Sequence, residues 1–253
     1  MIELISNKIF LDNNFEIREY DSPIGIIRIL FCDGVAQSIT CTKKELRYEL
    51  CDCFMKLFDV PLSLNTYGEN YLVLGGGAFT YPKYYISKYL TKKMDVVEIN
   101  SECIEYAKKY FYLEELINEY DLENKRLNII IDDAMNYISN TQNKYDYVLI
   151  DLFNGKLPIT EIYDEENIGN IKRIINNNSI IAINYIINKN NNFKKNIESL
   201  TKLTNNIKII THNLCFNITE KTGNIIIILS NNDINISDEY DYLDVTNVLI
   251  DKE

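Results

Sequence analysis

Three consecutive glycines, Gly75, Gly76 and Gly77, and a set of acids, Glu98, Asp132, Asp133 and Asp151, have the types and spacing to do chemistry together. Residues without a Cβ let a backbone turn sharply and approach a ligand closely, which suits the entrance of a nucleotide-type site. The match to G-x-G-x-x-G is incomplete, because Thr80 stands at the third glycine position. Glu98 follows Gly75 by 23 residues, near the spacing of roughly 20 at which an acid takes a ribose hydroxyl pair. Two carboxylate oxygens match two adjacent hydroxyl donors. A carboxylate at Asp132 or Asp133 has the chemistry to accept from an adenine amine, and Asp151 opens the run Asp151-Leu152-Phe153-Asn154. Taken singly, each acid is more simply an N-cap or a turn residue. Taken jointly, at successive strand ends, they point to one site. No lysine follows the glycines in the G-K-[ST] manner, which disfavours a nucleoside triphosphate. An adenosyl sulfonium ligand or a nicotinamide dinucleotide remains, the second disfavoured by Thr80.

These residues need elements to hold them. Five apolar runs, 71–74, 94–98, 127–131, 145–150 and 179–185, alternate with helical stretches at 79–90, 101–110, 134–140 and 161–175. Such alternation predicts a parallel sheet covered on both faces, with ligands beyond the carboxyl ends of its strands. The runs at 207–211 and 224–229 have no clear helix between them and predict an antiparallel C-terminal edge. Upstream, 15–20, 24–30 and 35–41 read as strands, the last two as a hairpin around Asp33-Gly34. Thr42 with Glu45 predicts a capping box, opening a helix whose apolar face is Leu46, Leu50, Phe54, Leu57 and Phe58. The division is a β-rich region with one helix over 1–62 and a Rossmann-like domain over 63–253. The asparagine-rich stretch 188–192 reads as a surface loop, and the acidic tail from Asn231 as peripheral.

Composition narrows the function classes. With 253 residues, 46% hydrophobic and 25% charged, the chain has material for a large core. A net charge of -11 argues against nucleic acid and accommodates a cationic or neutral substrate. The start MIELISNKIF lacks a signal peptide's basic start and long apolar segment, and no run is long enough to span a membrane, so the expectation is a cytoplasmic protein away from membranes. Six cysteines without C-x-x-C pairs predict reduced structural thiols. Cys51 and Cys53 are spaced wrongly for a zinc knuckle and His212 is the sole histidine, so no metal is expected. His212 reads as structural, the tyrosines after the glycines as core, and Asp164, Glu165 and Glu166 as a helix start favoured by the helix dipole.

The combination VLGGGAFTYP, VVEIN, IDDAMNYI and YDYVLIDLF resembles the spermidine synthase-like branch of the class I methyltransferase fold. Upstream, DSPIGIIRIL, GVAQS and KKELRYEL resemble the hairpin and helix that precede the catalytic domain in that family. The resemblance implies a Rossmann-like, mostly parallel sheet binding S-adenosylmethionine, its decarboxylated form or methylthioadenosine. It implies Gly75, Gly76 and Gly77 around the sulfonium tail, Glu98 on the ribose, Asp133 with Ala134 at the adenine, Gln37 near the ligand, and Tyr48 and Asp151 facing a small-molecule acceptor. Relatives of this kind form dimers through the hairpin region, and a homodimer is the corresponding expectation. Two departures matter. Where aminopropyltransferases read GGGDGG this chain has GGGAFT, placing Ala78 at the carboxylate that meets the ligand's free amine. Their D-x-x-D becomes Asp151 to Asn154, whose amide cannot accept the acceptor's proton. Ala78 removes the repulsion that the aspartate would exert on intact S-adenosylmethionine. The resulting expectation is methyl transfer to an amine or other small nucleophile, with aminopropyl transfer to a polyamine as the alternative and a non-catalytic adenosyl-binding protein as a third reading.

Overall fold

The computed structural model describes residues 6–12, 14–64, 68–121, 125–154, 157–188, 192–204 and 206–250. Strands β1 (Ser6–Asp12), β2 (Phe15–Ser22), β3 (Gly25–Cys32) and β4 (Val35–Cys41) form an antiparallel meander in that order. Asp33 and Gly34 both have positive φ, at 50° and 74°, which is the backbone a two-residue hairpin turn requires.

The capping box at Thr42 does not form. Thr42 instead donates its hydroxyl to Ile26 O, and the backbone runs through isolated turns, Leu46 N to Lys43 O and Glu49 N to Leu46 O. The helix begins later, as α1 (Cys53–Lys56), because Asp52 Oδ1 accepts from Phe54 N and Met55 N. A second short helix, α2 (Asp59–Ser63), follows.

The main body alternates as expected: β5 (Asn70–Leu74), α3 (Thr80–Lys88), β6 (Lys93–Glu98), α4 (Ser101–Tyr110), α5 (Leu113–Leu116), β7 (Leu127–Ile131), α6 (Ala134–Asn140) and β8 (Tyr145–Ile150). A small hairpin of β9 (Phe153–Asn154) and β10 (Leu157–Pro158) precedes α7 (Glu165–Ile174) and the long β11 (Ile175–Ile187). The chain ends with α8 (Phe193–Leu200), β12 (Asn206–Thr211), β13 (Phe216–Asn217), β14 (Thr222–Ser230), β15 (Leu243–Asp244) and α9 (Thr246–Leu249). The sheet order is β15-β12-β14-β11-β8-β5-β6-β7, parallel from β11 to β7 and antiparallel at the β11, β14, β12 and β15 side. The chain is thus α/β and Rossmann-like, with the antiparallel edge at its C-terminal side.

Apolar residues on successive positions explain why β5 is central. Tyr71 and Val73 join one buried cluster with Tyr85, Ile86, Ile104 and Leu113, while Leu72 and Leu74 join a second with Ile138, Ile168, Ile171 and Leu200. Both sheet faces are therefore dry, and burying each such leucine contributes about 1.5–3 kcal/mol. Tyr81, Tyr84 and Tyr85 are buried on α3, as the core reading expects.

The tail is not peripheral throughout. β15 pairs with β12, and Val245 is buried with its N–H on Ile209 O, so part of the acidic tail closes the sheet edge. Most of the asparagine-rich loop, 189–191, lies outside the described residues.

Candidate functional site

β5 ends at Leu74 and the chain turns at once. Gly75 has φ +94° and donates to Val97 O at 2.9 Å. A Cβ on Gly75 would overlap the carbonyl oxygen of Asp151, and one on Gly76 would press on Val96 and Phe79 at 3.0 Å. Gly77 also has positive φ, and a Cβ there would meet Ser38 Oγ at 3.0 Å. Gly75 is required by the close approach of the Asp151 backbone, and Gly77 by its positive φ.

Their amides converge on an acid. Gly76 N and Gly77 N donate to Glu98 Oε2 at 2.9 and 2.8 Å, and Asn100 N donates to Oε1 at 2.8 Å. Glu98 does not cap α4; Asn100 does, accepting from Glu102 N and Cys103 N. A carboxylate offers about four lone-pair sites, so Glu98, buried at the end of β6, keeps acceptor capacity for a further donor. That spare capacity and the glycine cradle beside it fit an adenosyl group.

Asp151 stands at the end of β8, its N–H on Leu74 O at 2.9 Å and its backbone against Gly75. Burial raises its pKa from 3.8 to about 6; the hydrogen bond from Asn184 Nδ2 to Oδ1, 2.8 Å, acts to lower it, and the charge of Glu98 to raise it. Asn184 Oδ1 is buried without a partner. Asp151 lines a cleft with Gly75, Gly76, Thr80, Tyr81 and Gln37. The facing wall is apolar and comes from Leu50, Met55 and Phe58. Among the described residues lining this cleft, Asp151 is the only charged one. Two bonds fasten the N-terminal sheet to the glycine turn: Ser38 Oγ accepts from Ala78 N at 2.9 Å, and Thr80 Oγ1 donates to Ile39 O at 3.0 Å.

Of the residues expected in the site, Gln37, Gly75, Gly76 and Asp151 line the cleft, with Gly77 and Glu98 joined by hydrogen bond at its edge. Ala78 is completely buried and lies off the cleft lining. Asp133 caps α6, accepting from Asn136 N at 3.0 Å, with Ala134 buried in the first turn. The two occupy the end of β7, whose strand neighbour is β6. Tyr48 is directed elsewhere, its hydroxyl donating to Glu119 at 3.4 Å and its ring set edge-on to Tyr120. Asn154 is exposed on the β9–β10 hairpin.

Ser38, Thr80 and Asn184 were missed by sequence reasoning. Asn184 carried a signal, as a polar residue in the apolar run IIAINYII. His212, read as structural, makes two contacts: Nε2 lies 3.3 Å from Asp241 Oδ2, and Nδ1 accepts from Leu214 N.

Comparison with known proteins adds independent information. The family model described as Spermine/spermidine synthase domain matches residues 55–240. A polyamine aminopropyltransferase of Methanocaldococcus jannaschii is 29% identical over 123 residues, 49% of this chain and 41% of that protein. Polyamine aminopropyltransferase of Saccharolobus solfataricus is 30% identical over 149 residues, 58% of this chain and 46% of that protein. The matched stretch thus spans less than half the length of these relatives. Among solved structures, a probable spermidine synthase from Corynebacterium glutamicum aligns with TM-score 0.73 and 16% identity, over 92% of this chain and 83% of that one. Human methyltransferase-like protein 13 in complex with SAH aligns with TM-score 0.55 and 17% identity, over 70% of this chain and 78% of that one. These structural likenesses speak to the fold.

Proposed function

The chain belongs to the spermine/spermidine synthase family, and from that premise we propose that it is an aminopropyltransferase, moving the aminopropyl group of decarboxylated S-adenosylmethionine to an amine of a polyamine-type acceptor. The observation that carries this reading is the cleft's charge: a carboxylate, Asp151, with no lysine or arginine among the lining residues. Such a cleft favours a cation and opposes a ligand bearing its own carboxylate. Relatives named polyamine aminopropyltransferase support the same reaction.

The expectation of methyl transfer leaned on Ala78. That side chain is wholly buried and lies outside the cleft lining, and the reading of the donor leans on Asp151 and its surroundings. Methyl transfer keeps support only from the shared fold.

Gly75, Gly76, Gly77 and Glu98 would hold the donor, with Asp133 and Ala134 at the adjacent strand end. The sulfonium supplies an activated leaving group: the acceptor nitrogen bonds to the propyl carbon, the carbon–sulfur bond breaks, and methylthioadenosine leaves. A protonated amine cannot attack, and its ordinary pKa near 10 leaves it protonated at neutral pH. Asp151, deprotonated above its pKa of about 6, is the group positioned to take that proton. Its raised pKa narrows the gap to the amine. Asn184 orients the carboxylate, and the apolar Leu50, Met55 and Phe58 give the methylenes of an acceptor a dry wall.

The test is incubation with decarboxylated S-adenosylmethionine and a panel of polyamines, read by mass spectrometry. The expected products are methylthioadenosine and a polyamine longer by one aminopropyl unit. Release of S-adenosylhomocysteine from intact S-adenosylmethionine would instead restore the methyl-transfer reading. Binding of either ligand without turnover would favour a non-catalytic protein.

A further inference from the structure

Cys53, His212 and Cys215 are remote in sequence, yet one ligand atom from each lies within 4.8 Å of the other two. We propose that this cluster is a binding site for a single zinc-class divalent cation, fastening the C-terminal loop to the wall of the cleft. Two sulfurs and one imidazole are the donor set that a borderline-soft d10 ion selects, and three protein ligands leave one position open to solvent.

Local structure prepares each ligand. Cys53 opens α1 directly after its cap Asp52. His212 and Cys215 sit on one turn closed by Cys215 N donating to His212 O, and Cys215 O accepts from Asn224 N on β14. The turn is therefore anchored to the sheet rather than free to move the ligands apart. The two contacts of His212 define its tautomer. Nδ1 accepts from Leu214 N, so its lone pair is engaged there, and Nε2 lies 3.3 Å from Asp241 Oδ2; an ion taken at Nδ1 would displace the Leu214 contact and leave Nε2–H on Asp241. A histidine that offers one nitrogen and donates from the other to a carboxylate is the arrangement that orients metal-bound imidazoles. The charged neighbours are acids, Asp52 beside Cys215 and Asp241 beside His212, which suits a cation.

The site touches the proposed function through one short helix. Met55, two residues after Cys53 on α1, and Phe58 just beyond it line the cleft. A bound ion would tie that apolar wall to the turn after β12.

The experiment is titration of the reduced 253-residue chain with cobalt(II), followed by its thiolate-to-cobalt absorption, then displacement by zinc(II). One equivalent with that absorption is expected. Cys53→Ser and Cys215→Ser should each weaken binding by at least about 100-fold, and Asp241→Asn by about 10-fold. The unmutated protein loaded with zinc provides a check that needs no variant: X-ray absorption should show two sulfurs near ~2.3 Å and a nitrogen near ~2.0 Å. A shell of oxygen and nitrogen only, absence of thiolate-to-cobalt absorption in reduced protein, or binding unchanged in both cysteine variants would overturn the proposal. All these readouts are independent of turnover, so failure of the aminopropyl-transfer reading leaves them interpretable.

Discussion

The glycine turn draws its partners from the strand ends beside it: Gly76 and Gly77 bond to Glu98, and Gly75 rests on the backbone of Asp151. The opposite wall of the cleft is supplied by β4, with Gln37 and Ser38, and by the segment around α1, with Leu50, Met55 and Phe58. The first region is braced by hydrogen bonds among its own residues. The second is held to it chiefly through Ser38 to Ala78 and Thr80 to Ile39, and otherwise by apolar packing. On the proposed function, the donor would be held within one sheet and the acceptor would meet a wall docked onto it from outside.

The comparison can be broken most severely at Asp151, where the two regions meet. Asp151→Asn should lower kcat by about 10²–10⁴-fold while calorimetry finds donor affinity little changed; equal loss of both would show that the two regions do not act separately. The same variant tests stability. The folded pKa of Asp151 is raised from 3.8 to about 6, so the folded chain retains a proton that the unfolded chain releases. Its contribution is complete below pH 3.8 and lost as pH rises through about 6. Thermal melts should therefore show the asparagine variant gaining on the parent as pH climbs from 4 to 7.

Gly75→Ala should damage both regions at once, because the new methyl group overlaps the Asp151 carbonyl and the residue must keep φ at +94°. The expected cost is about 2 kcal/mol or more in denaturant unfolding, with loss of donor binding. Retained binding would mean the turn can shift without moving Asp151.

Asn184→Leu sharpens the acceptor side alone. It removes the hydrogen bond that holds the Asp151 pKa down, and a lost bond to a charged group is worth roughly one pKa unit. The acidic limb of the pH–rate profile should move upward by about that much, and a profile that stays in place would deny Asp151 the role of base. Ser38→Ala should have the smallest effect, about 1 kcal/mol of stability, expressed as a higher KM for the acceptor with donor affinity unaffected.

Much of the donor end is legible in the sequence because its signals are local. An apolar run, a glycine turn and an acid at the next strand end lie within one βαβ unit, and chain connectivity alone brings Gly76 within reach of Glu98. The acceptor wall is less legible. Gln37 was found through family likeness, whereas Tyr48, expected to face the acceptor, bonds to Glu119 instead. At Thr42 the backbone N–H and the hydroxyl both bond across the hairpin to Ile26 O, keeping the residue with its neighbouring strand, a long-range contact that periodicity along one segment does not register.

By itself the sequence determined the alternating elements, the covered parallel sheet, the glycine turn and the acids at the strand ends, since each depends on hydrophobic period and short-range backbone demands. Only the tertiary structure decided that Asn184 reaches Asp151 across neighbouring strands, that Ala78 is buried off the cleft, and that Cys53 meets His212 and Cys215. These depend on which strands become neighbours and how one sheet docks on another. Such long-range contacts follow from the packing of the whole core, and residue spacing along the chain carries no measure of them.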